Sequence, residues 1–358
     1  MNLASLTEVF TGSSRRVHLI GVAGSGMSGI AGLLLALGHR VSGSDKVDTV
    51  EVERLEKKGL RFHIPHRADE VTGGRAGRIL IGHQGGQCRL RRGQEAWFAH
   101  GAPGRCAGRH HELQKGHRDL RHARQDDHVV HGGPCASKLR PQAFALCGAE
   151  IPILGTNARW DSEGEYFVAE GDESDGTLIN YHPEHAIVLN IEPEHLDFYK
   201  DLAAIDAVYA KLVGQTRGKV VYCGDDPGRR ASALPRPGAI SYGQLESNRY
   251  RITDIAAENF RSHFQVLKEG ELLGAASLNI PGIHNAVNAL AVIALAIEIG
   301  LPSKRSPPRS KTSEGARRRF EICYETPRNL VVDDYGHHPT EVAATIATAR
   351  TGAGSVCW

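Results

Sequence analysis

Val17–Val22 reads VHLIGV, and the chain runs straight on through GVAGSGMSGIAGLLLALGH into VSGSD. An apolar strand, a glycine turn, an apolar helix and a second strand in immediate succession leave few folds open. They build a βαβ unit of a parallel sheet, with a right-handed crossover. Gly21, Gly24, Gly26 and Gly29 allow the tight turn. They also let a diphosphate approach the backbone N–H groups at the helix N-terminus. Gly24, Gly26 and Gly29 keep the GxGxxG spacing, with Gly21 and Ala23 in front. Asp45 ends the second strand, about where an acidic residue meets a ribose in dinucleotide sites. A purely structural glycine turn would look the same, and the motif alone does not choose between NAD and a UDP-sugar.

A second pattern lies at Val168–Thr177, VAEGDESDGT, followed by NIEPEH at Asn190–His195. Glu170, Asp172, Glu173, Asp175, Glu192 and His195 sit at the ends of two strand-like runs, EYFVAE and HAIVLNI. Carboxylates at strand ends suit a hard cation, because they supply oxygen ligands and leave room for water and phosphate. Asp172, Glu173 and Asp175 also fit a solvated acidic turn in which Glu170 alone meets metal. A magnesium–nucleotide site normally pairs such ligands with a glycine-rich loop and a lysine. No such loop stands in front of them here.

At 358 residues the chain has room for two or three domains with their own cores. A net charge of +2 and a pI near 8.2 argue against a dedicated nucleic-acid binder. The N-terminus lacks the charged and apolar regions of a signal peptide, and no apolar run is long enough for a membrane span. Seven cysteines without a pairing pattern fit a reducing compartment, so a cytoplasmic location is expected.

The strings IGVAGSGMSGIA, VSGSD, GTNAR, VAEGDESDGT, NIEPEHLD, IPGIHNAVNALA, RRRFE and VVDDYGHHPTEVAAT follow one another over most of the chain. In these strings and in their order the chain resembles the Mur ligases, and GMSGIA with SGSD places it on the alanine-adding side of that family. The resemblance implies an α/β protein with a Rossmann-like N-terminal domain and a central α/β ATP-binding domain of the P-loop type. A third α/β domain begins after them. The expected limits are 1–107 for UDP-N-acetylmuramate, 108–316 for ATP and magnesium, and 317–358 for the start of the third domain. The implied reaction is ATP-dependent ligation of L-alanine to UDP-N-acetylmuramate through an acyl phosphate, a step of peptidoglycan precursor synthesis. Carried over residue by residue, Gly24, Ser25, Gly26, Met27, Ser28 and Asp45 fall in the UDP-sugar site. Glu170 and His195 match the magnesium ligands, Asn285 and Asn288 the adenine-side asparagines, and Arg319 and Asp334 the third-domain residues that reach the nucleotide. The asparagines open a helix read as His284–Ile299, and capping a core helix would explain them equally. His337 and His338 fit turn residues beside Pro339, and Arg317 and Arg318 surface charge.

Between about Gly73 and Arg140 the resemblance stops. The stretch is rich in Arg, Gly, His and Gln, and has little periodicity of either kind. The family's serine-rich turn and its GTHGKTTT phosphate loop are both expected here and both missing. Lys115–His128, KGHRDLRHARQDDH, can be encoded so that the neighbouring reading frame gives KGIAICGTHGKTTT. RILIGHQGGQC shifts likewise to a serine turn, ASSSVIKADNA. Ser303–Gly315, with two prolines, shifts the other way to an amphipathic helix, EAIAAALKDFRG. TGAGSVCW at the C-terminus shifts to a strand, and about a hundred further residues are expected beyond it. These patches are read as local frame shifts, so the literal polypeptide lacks the phosphate-clamping lysine and is expected to be inactive. Two alternatives stand beside the ligase: an inactive UDP-sugar-binding remnant, and an NAD-dependent Rossmann oxidoreductase. The oxidoreductase leaves VAEGDESDGT, IHNAVNALA and DDYGHHPTE unexplained.

Overall fold

Strand β1 (Arg16–Ile20) is the centre of a parallel sheet, with β2 (Arg40–Ser44) on one side and β4 (Arg78–Gly82) on the other. The structure, a computed structural model, describes residues 14–66, 78–82, 97–98, 143–151, 156–159, 166–171, 173–174, 176–192, 195, 198–225, 236–258, 260–301, 319–326, 329–336 and 339–352. The stretches read as frame-shifted lie almost wholly outside these residues. So do Asp172, Asp175, Arg317, Arg318, His337, His338 and both expected domain limits.

The N-terminal sheet has the order β3-β2-β1-β4-β5, with β3 at Arg61–His63 and β5 at Trp97–Phe98. Helix α1 (Ser25–Ala36) crosses between β1 and β2 as the glycine turn requires. Its Met27, Ile30, Ala31 and Leu34 recur at helical spacing and close a core with Val17, Leu19, Val22 and Val41. Gly38 ends it at φ 83°, while the amide of His39 donates back to the carbonyl of Leu34 (3.0 Å). Helix α2 (Val50–Glu56) is capped by the Thr49 hydroxyl, which accepts from the amide of Val52, and it buries Val52 and Leu55.

A small sheet, β7-β6-β8, comprises β6 (Ala143–Ile151), β7 (Thr156–Arg159) and β8 (Tyr166–Ala169). A larger one runs β14-β13-β12-β11-β10-β9. Its parallel part is β9 (Ala186–Val188), β10 (Val220–Cys223), β11 (Ile240–Gly243) and the start of β12 (Tyr250–Glu258). The Tyr250–Ile280 region, expected to be strand-rich, is an antiparallel meander of β12, β13 (Arg261–Lys268) and β14 (Glu271–Leu278). Its KEGE signal is the last hairpin, with Glu269 and Gly270 both at positive φ (52° and 86°). Helix α3 (Leu202–Gln215) is capped by Asp201 and buries Ile205, Tyr209, Leu212 and Val213. Helix α4 (Ile283–Glu298) matches the expected helix to within one residue at each end, and packs Ala286, Leu290 and Ala294 on the large sheet.

The last unit is a hairpin, β15 (Glu321–Glu325) with β16 (Leu330–Asp333), and helix α5 (Pro339–Gly352), which opens on a proline. Two of its contacts with the rest of the described chain stand out. The Phe320 ring lies 6.1 Å from that of Phe260, and a Cβ on Gly282 would come within 2.9 Å of the buried Thr348 hydroxyl. Among the described residues no helix is long and apolar enough to cross a membrane.

Candidate functional site

The glycine turn is held from behind by Asp45. One carboxylate oxygen accepts from the amide of Ala23 (2.8 Å), and the other from that of Lys46 (2.7 Å). The acid expected to meet a ribose is thus fastened to the turn itself. Gly21 takes φ 81°, and its amide donates to Ser44. The first N–H groups of α1, like those of any helix, lack intrahelical acceptors, and Gly24 before them offers no side-chain cap. Gly24 and Ser25 are exposed, and Gly26 is half-buried. Met27 and Ser28 are buried, so they shape the turn and do not line its outer face. The glycine of SGSD has a packing reason that sequence reading missed. A Cβ on Gly43 would stand 2.6 Å from Cγ1 of the fully buried Val22.

The two acidic strings come together. Glu170 follows β8, half-buried. The Glu173 backbone carbonyl accepts from the Tyr199 hydroxyl, and its carboxylate accepts from the Tyr209 hydroxyl (3.3 Å). The same carboxylate lies 3.6 Å from Nε2 of His195, with both side chains partly exposed. Phe198 packs edge-on to Tyr199, against Gly176 of the acidic turn. His195 itself takes φ 51°, a left-handed conformation that costs a non-glycine residue about 1–2 kcal/mol. Its carbonyl accepts from the amides of Phe198 and Tyr199 (2.9 and 2.8 Å). His195 therefore faces Glu173, an acid that the sequence left open between metal ligand and solvated turn. Among the described residues no three His, Cys, Asp or Glu side chains form a metal-sized cluster.

A third locus joins α4 to the last unit. One cleft is lined by Asn285, Arg319 and Asp334, together with His284, Phe320 and Glu341. Three of the four residues expected around the nucleotide thus share one cleft; Asn288, one turn further along α4, is half-buried and is not in its lining. Arg319 lies over the Tyr335 ring (5.9 Å) and reaches Glu341 (3.4 Å). Asp334 accepts from the amides of Phe320 (2.9 Å) and Gly336 (2.7 Å), which fixes the DDYG turn. Asn285 is buried and donates to the carbonyl of Pro281 (2.7 Å). That bond is not a cap, since the N-cap is Gly282 without a side-chain bond and both asparagines lie inside α4, so the capping role is not seen.

The only Gly-Lys dipeptide of the chain is Gly218–Lys219, and Val220 follows it where a phosphate loop needs Ser or Thr. The Lys219 ammonium lies 3.4 Å from Glu298, at the far end of α4.

Residues 16–84 match the catalytic domain of the Mur ligase family, and residues 150–296 match the Mur ligase middle domain. The UDP-N-acetylmuramate–L-alanine ligase of Oleidesulfovibrio alaskensis is 35% identical over 348 residues, 94% of this chain and 74% of that protein. That of Geotalea uraniireducens is 33% identical over 353 residues, 95% of this chain and 75% of its own length. Among solved structures, the UDP-N-acetylmuramate–alanine ligase of Thermotoga maritima superposes with a TM-score of 0.74 at 23% identity, over 94% of this chain and 77% of that one. The likeness to curated relatives spans nearly the whole chain, and the chain belongs to the Mur ligase family.

Proposed function

We propose that this chain is built to join L-alanine to UDP-N-acetylmuramate at the expense of ATP, in the cytoplasm, as a step of peptidoglycan precursor synthesis. The observation that carries this reading is the identity of 35% to a ligase of that name across 94% of the chain. A carboxylate is a poor acyl donor, so the lactoyl carboxylate is first phosphorylated by ATP. The amino group of L-alanine then attacks the acyl phosphate and displaces phosphate. Several anionic groups must converge, so catalysis is mostly positioning and charge neutralisation.

In this reading the turn Gly24–Ser28, buttressed by Asp45, receives the UDP-sugar diphosphate on the N–H groups of α1. Asn285 and Asn288 hold the adenine side, while Arg319 and Asp334 approach from the third unit across the cleft. Residues 1–107, 108–316 and 317–358 are the corresponding domains. Glu170 and His195 would hold magnesium, with the Glu173 carboxylate 3.6 Å from the His195 ring. Bound there, the ion would neutralise phosphate charge.

A second reading concerns the polypeptide as written, and the absence of any G-x4-G-K-[ST] sequence favours it. Loss of a phosphoryl clamp of this kind costs on the order of 10³–10⁵ in rate, by analogy with arginine fingers. The literal chain then binds UDP-N-acetylmuramate without ligating it. The test is phosphate release with ATP, UDP-N-acetylmuramate and L-alanine. It compares this chain with one whose Lys115–His128 segment is replaced by KGIAICGTHGKTTT. No release from the first and alanine-dependent release from the second is the expected pair. Robust turnover by the literal chain would sink the lesion and uphold the ligase.

A further inference from the structure

Helix α1 belongs to two cores at once. Met27, Ile30, Ala31 and Leu34 close the N-terminal core, while Leu33 packs in another with Ala158, Phe167 and Ala169. Beside Ala158 stands Asn157 of β7, 4% exposed. Its side-chain amide donates to the carbonyl of Ser25 and to the hydroxyl of Ser28 (3.1 Å), residues 132 and 129 positions earlier in the chain. The Ser28 hydroxyl in turn donates to that same Ser25 carbonyl (2.8 Å). The first turn of α1, whose leading N–H groups have no intrahelical acceptor, is therefore gripped from the central region. On the other side of the grip, β7 pairs with β6 and β6 with β8, the strand that leads into Glu170.

We propose that Asn157 is a positioning residue that couples occupancy of the glycine turn to the strand carrying Glu170. Buried at 4% exposure, it acts through the turn and not on a substrate. An anion on the N–H groups draws the turn outward or holds it still, and Asn157 passes that constraint into the β7-β6-β8 sheet. The proposal rests on the reading of the turn as the UDP-sugar diphosphate site.

Hydrogen–deuterium exchange on the full chain tests it, comparing wild type with Asn157→Leu, which is near-isosteric and lacks the amide. Without ligand, the variant is expected to exchange the amides of residues 28–34 about tenfold faster, the loss of roughly one buried hydrogen bond. Unchanged exchange there overturns the link. With UDP-N-acetylmuramate, wild type is expected to gain protection at both 24–34 and 166–170. The variant is expected to keep it only at 24–34, with affinity about tenfold weaker. Full protection of 166–170 in the variant overturns the coupling. Ligand that protects neither segment of wild type defeats the UDP-sugar reading instead, and the ligand-free comparison still decides the link. Should Asn157→Leu fail to fold, Ser28→Ala removes one acceptor from the other side. Faster exchange at residues 156–159 then supports the link, and unchanged exchange overturns it.

Discussion

Asp45 and Gly43 decide the shape of the glycine turn, although neither lies in it. Asp45 reaches back 22 positions to the amide of Ala23, so its charge fixes where the turn's own N–H groups point. Asp45→Ala is therefore expected to weaken UDP-N-acetylmuramate binding about tenfold, the worth of one charge-assisted hydrogen bond, in a calorimetric titration. Gly43→Ala forces a methyl group into Val22. Overpacking of this kind costs about 1–3 kcal/mol, which urea unfolding of the two proteins would register. The glycines of the turn announce themselves in sequence because their spacing is local. The reason for Gly43 does not, since it depends on a side chain brought over by strand pairing.

At the scale of elements, α4 is fastened at both ends by different means. Its N-terminus starts from Gly282 at φ 107°, packed against Thr348 of α5. Gly282→Ala meets both a forbidden backbone conformation and that contact, and is expected to cost about 1–3 kcal/mol. Limited proteolysis should then release α5 first; equal resistance would contradict the docking described. Its C-terminus carries Glu298, an acid at the negative end of the helix dipole. Tyr250 donates to it (2.8 Å), and Lys268, Arg249 and Lys219 surround it at 3.0, 3.5 and 3.4 Å. Burial opposes its ionisation, but the hydrogen bonds from Lys268 and Tyr250 and the charges of Arg249 and Lys268 prevail, so its pKa lies below the ordinary carboxylate value. A depressed pKa contributes stability above the unfolded value, and that contribution is lost as pH falls through the folded one. Glu298→Gln is thus expected to lose about 2 kcal/mol at pH 7. The gap to wild type should close as the pH drops below about 4.5. An undiminished gap at low pH would show that the charge is not responsible.

Over the whole molecule, what could be read in advance followed range. The βαβ unit, the KEGE hairpin, α4 and the acidic strings are contiguous patterns, and the structure has them where the patterns stand. The cleft shared by Asn285, Arg319 and Asp334 was approachable only through the resemblance, since the three belong to separate elements. The grip of Asn157 on α1, the Glu298 cluster and the pairing of His195 with Glu173 were not legible at all. Each joins residues tens to more than a hundred positions apart, at contacts that no periodicity encodes. Sequencing the encoding nucleotides would test the reading of Lys115–His128 as a shifted phosphate loop. A GTHGKT-type loop in a neighbouring frame is the expected outcome, and its absence from all frames would sink that idea.

The N-terminal turn, read as part of a UDP-sugar ligase, should separate UDP-N-acetylmuramate from NAD. Calorimetric titration of the full chain with each ligand in turn distinguishes the two. The expected result is saturable one-site binding of UDP-N-acetylmuramate that Asp45→Ala weakens, and no binding of NAD. Tight binding of NAD with no response to UDP-N-acetylmuramate would contradict it.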